Sequence, residues 1–209
     1  MPICSLPFHL SGIVENSNRL VLMNPHSFEA RYNIDARPNS EVVRINRADK
    51  SVTVRNVVTG EEFNESYDKL VLSPGAAPIV PDMPGNDLPH VFTVRNVVDI
   101  ERLQKAIVEK DAKSIAVIGG GYIGVEVAEN LRLAGRNVTL VQSAPQILRS
   151  FDFDMAQILQ KEMLDHGVEL IVGDGIAAVT ETTIQLRSGR ELQADIVVLA
   201  IGVKPETKL

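Results

Sequence analysis

The 209-residue chain is 44% hydrophobic with a formal net charge of −6, so it has material for a core, and its acidity argues against nucleic acid as a partner. No apolar run approaches the length of a membrane span, and the start, Met1-Pro2-Ile3-Cys4, lacks the make-up of a signal peptide. A single cysteine excludes an internal disulfide, which fits a cytoplasmic setting.

The first dozen residues are largely apolar and hold Pro2 and Pro7, which suits a buried connecting loop. A short apolar run follows at residues 20–23, then a short helix over residues 27–32 with Ser27 as its cap. Residues 41–45, 51–55 and 62–67 read as three strands, the last after the turn Thr59-Gly60. Their close spacing predicts an antiparallel meander. Residues 69–72 (Lys-Leu-Val-Leu) read as a buried strand, ended by Ser73-Pro74-Gly75-Ala76-Ala77-Pro78. The prolines at 78, 81 and 84 mark a linker, and a domain boundary is placed after residue 88.

A helix is predicted over residues 96–110, with Ile100, Leu103, Ala106 and Ile107 on its apolar face. A further helix, capped by Asp152 or Asp154, runs to His166, with Gly167 just past its end. Met155, Ile158, Leu159 and Met163 form its expected core face. Residues 168–172 read as a parallel strand, and residues 183–192 as a hairpin turning at Ser188-Gly189. The unbroken apolar run at residues 196–200 is a central strand buried on both faces.

Between these two helices lies the stretch that carries the chemistry. Ile115-Ala116-Val117-Ile118 is followed by Gly119-Gly120-Gly121-Tyr122-Ile123-Gly124, an amphipathic segment to Leu133, a break at Gly135, and a second apolar run ending at Gln142. This is strand, glycine turn, helix, strand. Gly119 allows the sharp turn, Gly121 lets the backbone approach a pyrophosphate, and Gly124 lets helix and strand pack closely. Helix N–H groups and the positive dipole end then face the phosphates. Glycine-rich turns are common, but here the flanking elements needed for dinucleotide binding are present. The second strand ends in Gln142, where an acid usually bonds the ribose 2′-OH of NAD. Arg149 is the nearest downstream cation for a 2′-phosphate, so NADH and NADPH both stay open. The four histidines, His9, His26, His90 and His166, are scattered without metal-ligand spacing, and no metal is expected.

Four motifs together resemble the pyridine nucleotide–disulfide oxidoreductases, in the branch of coenzyme A disulfide reductase, NADH oxidase and NADH peroxidase. Cys4-Ser5-Leu6-Pro7-Phe8 is similar to that branch's segment around its redox cysteine, with Ser5 for glycine and Phe8 for tyrosine. Residues 73–78 resemble the turn leaving the flavin domain, residues 119–126 the nicotinamide-nucleotide fingerprint, and residues 200–205 the crossing back. The resemblance implies an α/β, three-layer Rossmann-like FAD/NAD(P)-binding fold. Residues 1–88 would be a partial FAD-binding domain and residues 89–209 the NAD(P)-binding domain. It further implies an internal fragment, lacking the family's first FAD-binding turn and its dimerisation domain.

The same resemblance implies that Cys4 is the redox residue, with FAD and NAD(P)H as cofactors. Nucleotide contacts fall to Ile118, Gly119, Gly120, Gly121, Tyr122, Ile123, Gly124, Glu126, Gln142 and Gly202, and contacts on the flavin side to Ser73 and Gly75. Tyr122 would cover the nicotinamide pocket, Glu126 sit near the rings, and Gly202 admit the nicotinamide. The electron acceptor would be a small-molecule disulfide or persulfide, peroxide or oxygen, and the whole protein a homodimer. A non-catalytic nucleotide-binding module that has lost its flavin domain is the alternative; a flavin-free dehydrogenase lacks a substrate domain.

Overall fold

A computed structural model describes residues 5–209, so Cys4 lies outside the described residues. The chain divides into two compact units. One comprises the segment ending at Val21 together with Pro78–Lys204; the other comprises Leu22–Ala77 and Pro205–Leu209. The predicted boundary after residue 88 is a division by cofactor, and the division by packing falls elsewhere. The chain re-enters the first unit at Pro78, and its opening segment belongs there too. The physical reason is burial: Leu6, Leu10 and Leu20 are almost fully enclosed in the core of the first unit.

In the second unit, helix α1 (Pro25–Tyr32) begins one turn earlier than Ser27 would allow as a cap. Asn24 is the N-cap. Its side chain accepts from the Ser27 N–H at 2.9 Å, and the Asn24 N–H donates to Ser27 Oγ at 2.8 Å. Pro25 sits at the first helical position, where its missing N–H removes nothing the helix needs. The predicted meander is present as β1 (Ser40–Asn46), β2 (Ser51–Asn56) and β3 (Glu62–Ser66), paired antiparallel in that order. Val52 and Val54 on the central strand are its buried residues.

The strand expected at residues 69–72 is not formed, and Val71 is 85% exposed. An apolar run becomes a buried strand only when neighbours supply hydrogen bonds and cover, and none of the described strands pairs with this one. The short strand β4 (Ala76–Pro78) follows it.

The first unit is built on a five-stranded parallel sheet. Its strands are β5 (Val91–Thr93), β6 (Ser114–Ile118), β7 (Asn137–Gln142), β8 (Glu169–Val172) and β12 (Ile196–Leu199), in the order β5-β12-β6-β7-β8. Strand β5 is too short to have been read from its sequence. Side chains alternate between two cores. Ile115, Val117, Ile196 and Val198 face helices α2 (Val97–Glu109), α3 (Tyr122–Leu133) and α4 (Phe153–Asp165). Ala116, Ile118, Val197 and Leu199 face a small antiparallel sheet of β9 (Ile176–Val179), β10 (Thr183–Leu186) and β11 (Glu191–Gln193). Helices, parallel sheet and antiparallel sheet make the three layers. The predicted hairpin is β10–β11, and β9 was not foreseen. The last strand, β13 (Val203–Pro205), follows β12.

Helix α2 is entered through Asn96 and Asp99, which form a reciprocal capping box. Its buried face holds Ile100, Leu103 and Ile107 as read from the sequence. For α4 the face is different. Ala156, Gln160 and Met163 point inward, while Met155 and Ile158 are more than half exposed. Gln160 tolerates burial because its Oε1 accepts the Ile147 N–H at 3.1 Å. Of the four residues expected to face the core, Met163 alone is buried.

Entry to β12 is tied to entry to β6 by Asp195. Its carboxylate accepts from the Lys113 and Ser114 N–H groups, both at 2.8 Å, and from Ser114 Oγ at 2.9 Å. These bonds, led by the Ser114 N–H, hold its pKa below the usual carboxylate value. A lowered folded-state pKa stabilises the protein above the unfolded value of about 3.9. That stability is lost as pH falls from there through the folded value. Asp195→Ala is expected to lower stability by about 1 kcal/mol at pH 7, since the group is solvent-exposed. The deficit should shrink below about pH 4. Denaturant melts of both proteins across that range check it, and a pH-independent difference would contradict it.

Candidate pyridine-nucleotide site

The C-terminal ends of β6, β7 and β12 converge on one turn. The Gly119 N–H donates to Val141 O at 2.8 Å, and the Ala200 N–H donates to Ile118 O at 2.7 Å. Between them the chain leaves β6 through Gly119 at φ +112°, a conformation that favours glycine. A Cβ on Gly119 would lie 2.3 Å from Ala200 O. At Gly120 it would meet Ile147 Cγ2 at 2.8 Å, and at Gly124 the Gly119 carbonyl oxygen at 1.8 Å. Gly121 is different: a Cβ there meets no described residue within 4 Å. Three of the four glycines are thus demanded by the protein's own packing. The fourth faces open space.

That space is a cavity of about 460 Å³. Ile118, Gly119, Gly120, Gly121, Gln142 and Gly202 all line it. Gly121 is the N-cap of α3 and supplies no side-chain cap, and the first turn of the helix holds no acid. The uncapped N–H groups and the helix dipole make this end suited to an anion. Gln142 ends β7, and its Oε1 accepts the Gly120 N–H at 3.1 Å. Gly202, at φ +128°, has among the described residues only Ile79 Cδ1 near its missing Cβ, at 3.6 Å.

The remaining residues named from the sequence fall elsewhere. Gly124 lies beneath the turn and is buried. Tyr122, Ile123 and Glu126 do not line the cavity. Tyr122 is 59% exposed, shares a hydrogen bond of 2.9 Å with Ser150 Oγ, and meets Phe151 edge-on at 6.2 Å. Glu126 is half-buried, and burial, reinforced by the Glu129 carboxylate, pushes its pKa above the ordinary value. Ser73 and Gly75 belong to the second unit, where Gly75 O accepts the Glu206 N–H at 2.9 Å. Ser143, Arg149, Gly175 and Arg187 also line the cavity. Of these only Arg149 was singled out, since Arg187 comes from the separate antiparallel layer and no local motif announces it. No cluster among the described residues could hold a metal.

The pyridine nucleotide–disulphide oxidoreductase family model matches residues 4–209. The chain belongs to that family. It is 33% identical over 205 residues to coenzyme A disulfide reductase of Staphylococcus haemolyticus, covering 98% of this chain and 46% of the relative. It is also 33% identical over 213 residues to NADH oxidase of Enterococcus faecalis, covering 99% and 47%. The crystal structure of reduced Bacillus anthracis CoADR-RHD superposes with a TM-score of 0.93 at 44% identity, over 98% of this chain and 37% of that one. The chain spans about half the length of the curated relatives it matches. Members of the family are named as oxidoreductases, and the three-layer α/β fold is that of these relatives.

Both cofactors of such an oxidoreductase can be tested against the residues present. A pyridine nucleotide fits: the glycine turn, the free N–H groups and the cavity form a pyrophosphate cradle. For FAD no second strand–glycine turn–helix occurs among the described residues, because Leu22–Ala77 holds one helix and an antiparallel meander. No helix among them is long and apolar enough to cross a membrane.

Proposed function

We propose that this chain is the pyridine-nucleotide-binding part of an FAD-dependent NAD(P)H oxidoreductase, with coenzyme A disulfide or persulfide, peroxide or oxygen as acceptor. The observation that carries this is Gly121, a fingerprint glycine that the protein's own packing does not require and that opens onto the cavity. In this reading the N–H groups at the start of α3 bind the pyrophosphate, Gln142 lies at the ribose, and Gly202 leaves room for the nicotinamide. Tyr122, next in sequence to Gly121 and in contact with Ser150 and Phe151, would serve as the cover. The nucleotide supplies hydride when bound. Ser73 and Gly75 are assigned to the flavin side, and residues 1–88 to a partial flavin domain, on the family resemblance alone. A cytoplasmic setting and a homodimer for the whole protein belong to the same reading.

Cys4 is proposed as the redox thiol. It is the chain's single cysteine, so within this chain its oxidised form would be a mixed disulfide or a sulfenic acid. The segment that follows it is anchored in the first unit by Leu6 and Leu10. The test is NAD(P)H-dependent reduction of coenzyme A disulfide, hydrogen peroxide and oxygen, with FAD supplied. Cys4→Ser is expected to reduce disulfide turnover by about 100-fold or more, because the thiolate is the reacting nucleophile. Nucleotide affinity should stay as it was. Unchanged disulfide turnover in Cys4→Ser would end the assignment.

The non-catalytic module is the second reading, favoured by the whole lining of the cavity falling within the first unit. Pyridine-nucleotide binding without turnover under any of these conditions would select it.

A further inference from the structure

We propose that the cavity prefers the 2′-phosphorylated nucleotide, NADPH over NADH, with Arg149 and Arg187 as the cations that hold the 2′-phosphate. The inference rests on the reading of this cavity as the pyridine-nucleotide site. In this fold the end of the second strand meets the adenosine ribose. A carboxylate there accepts from the 2′-OH of NAD, and a nearby arginine accommodates the 2′-phosphate of NADP.

At this position stands Gln142, and its hydrogen-bonding capacity is already divided. Oε1 accepts the Gly120 N–H, which leaves the amide N–H groups as donors toward a ligand. Donors suit a phosphate and bring none of the repulsion of a carboxylate. Among the described residues no acid lines the cavity. The nearest acidic side chain in sequence to the lining residues Gly175 and Arg187 is Asp174, and it is engaged elsewhere. Its carboxylate accepts from Ser188 Oγ at 2.5 Å, from the Ser188 N–H at 3.2 Å and from the Gly175 N–H at 2.9 Å.

Two arginines from different layers reach the same cavity. Arg149 follows β7 in the connection to α4, and Arg187 follows β10 in the antiparallel sheet. Both are exposed, and neither forms an ion pair with a described residue. Gly175 gives Arg187 its course: a Cβ there would lie 3.2 Å from Arg187 Nε. Two unpaired guanidinium groups, one amide donor and no competing carboxylate form a site for a doubly charged phosphate.

The test is calorimetric titration of the chain with NADPH and NADH, and with 2′,5′-ADP and 5′-ADP, at low and high salt. NADPH is expected to bind at least about tenfold more tightly than NADH, with a similar ratio for the two adenosine nucleotides. Raising the salt should narrow both ratios. Arg149→Ala and Arg187→Ala should each narrow them severalfold, and the double variant should remove the preference. Gln142→Asp should shift it toward NADH. Because each ratio is measured within one protein, a general loss of stability does not produce the effect. Equal or tighter NADH binding by the wild-type chain overturns the proposal and leaves the nucleotide site standing. So does a preference that survives in the double variant. Failure of all four nucleotides to bind removes the site reading and this proposal with it.

Discussion

Gly124→Ala is expected to destabilise the first unit by about 3 kcal/mol or more, at the upper end of the range for overpacking. Helix propensity alone predicts the opposite sign, because alanine in a helix interior is favoured over glycine by about 1 kcal/mol. Geometry decides between them. The added Cβ would lie 1.8 Å from the Gly119 carbonyl oxygen and 3.4 Å from Ala200 Cβ. The first neighbour is backbone, fixed by Gly119's bond to Val141 and by the close approach of Ala200. Neither can yield without moving α3 away from β6 or opening the sheet. For a chain of this size the loss is about 6–12 °C in Tm. Thermal melting of the two proteins measures it, and a Tm equal to or above the wild type would show that helix and strand are not packed as described.

Gly121→Val is the complementary change, and its expected effect is on binding. Gly121 has φ −82° and ψ −176°, an extended conformation open to any residue. No described residue lies within 4 Å of its missing Cβ. Folding therefore tolerates the substitution, with stability within about 0.5–1 kcal/mol of the wild type. The space that the isopropyl group fills is the cavity at the start of α3. A pyrophosphate held by the helix N–H groups must enter that space, so affinity should fall by about 100-fold or more, or about 2.7 kcal/mol. One glycine of the fingerprint thus serves packing and another serves the ligand, and the two variants separate those roles.

Much of this was legible because the responsible constraints are local. A glycine run between two apolar strands fixes the turn and the start of α3, and the periodicity of α2 gives its buried face correctly. Where the outcome depends on distant partners, local pattern misleads. The inward face of α4 includes Gln160, whose burial is licensed by a backbone N–H from the preceding connection, whereas Ile158 and Met155 stay exposed. Residues 69–72 have the composition of a core strand and no pairing strand among the described residues. Strand β5 is three residues long and owes its place to pairing with β12 from the far end of the chain.

The site divides in the same way. Gly119, Gly121 and Gln142 lie within one βαβ unit and could be read together. Arg187 reaches the cavity from the antiparallel layer, and Ser143 and Gly175 carry no signal of their own.

The central claim, that the cavity over the glycine turn holds a pyridine nucleotide, is tested most directly by titrating wild type and Gly121→Val with NADPH in a calorimeter. The account predicts saturable single-site binding by the wild type and binding at least about 100-fold weaker by the variant, with melting temperatures within about 4 °C of each other. Equal affinity of the two proteins for NADPH would contradict it.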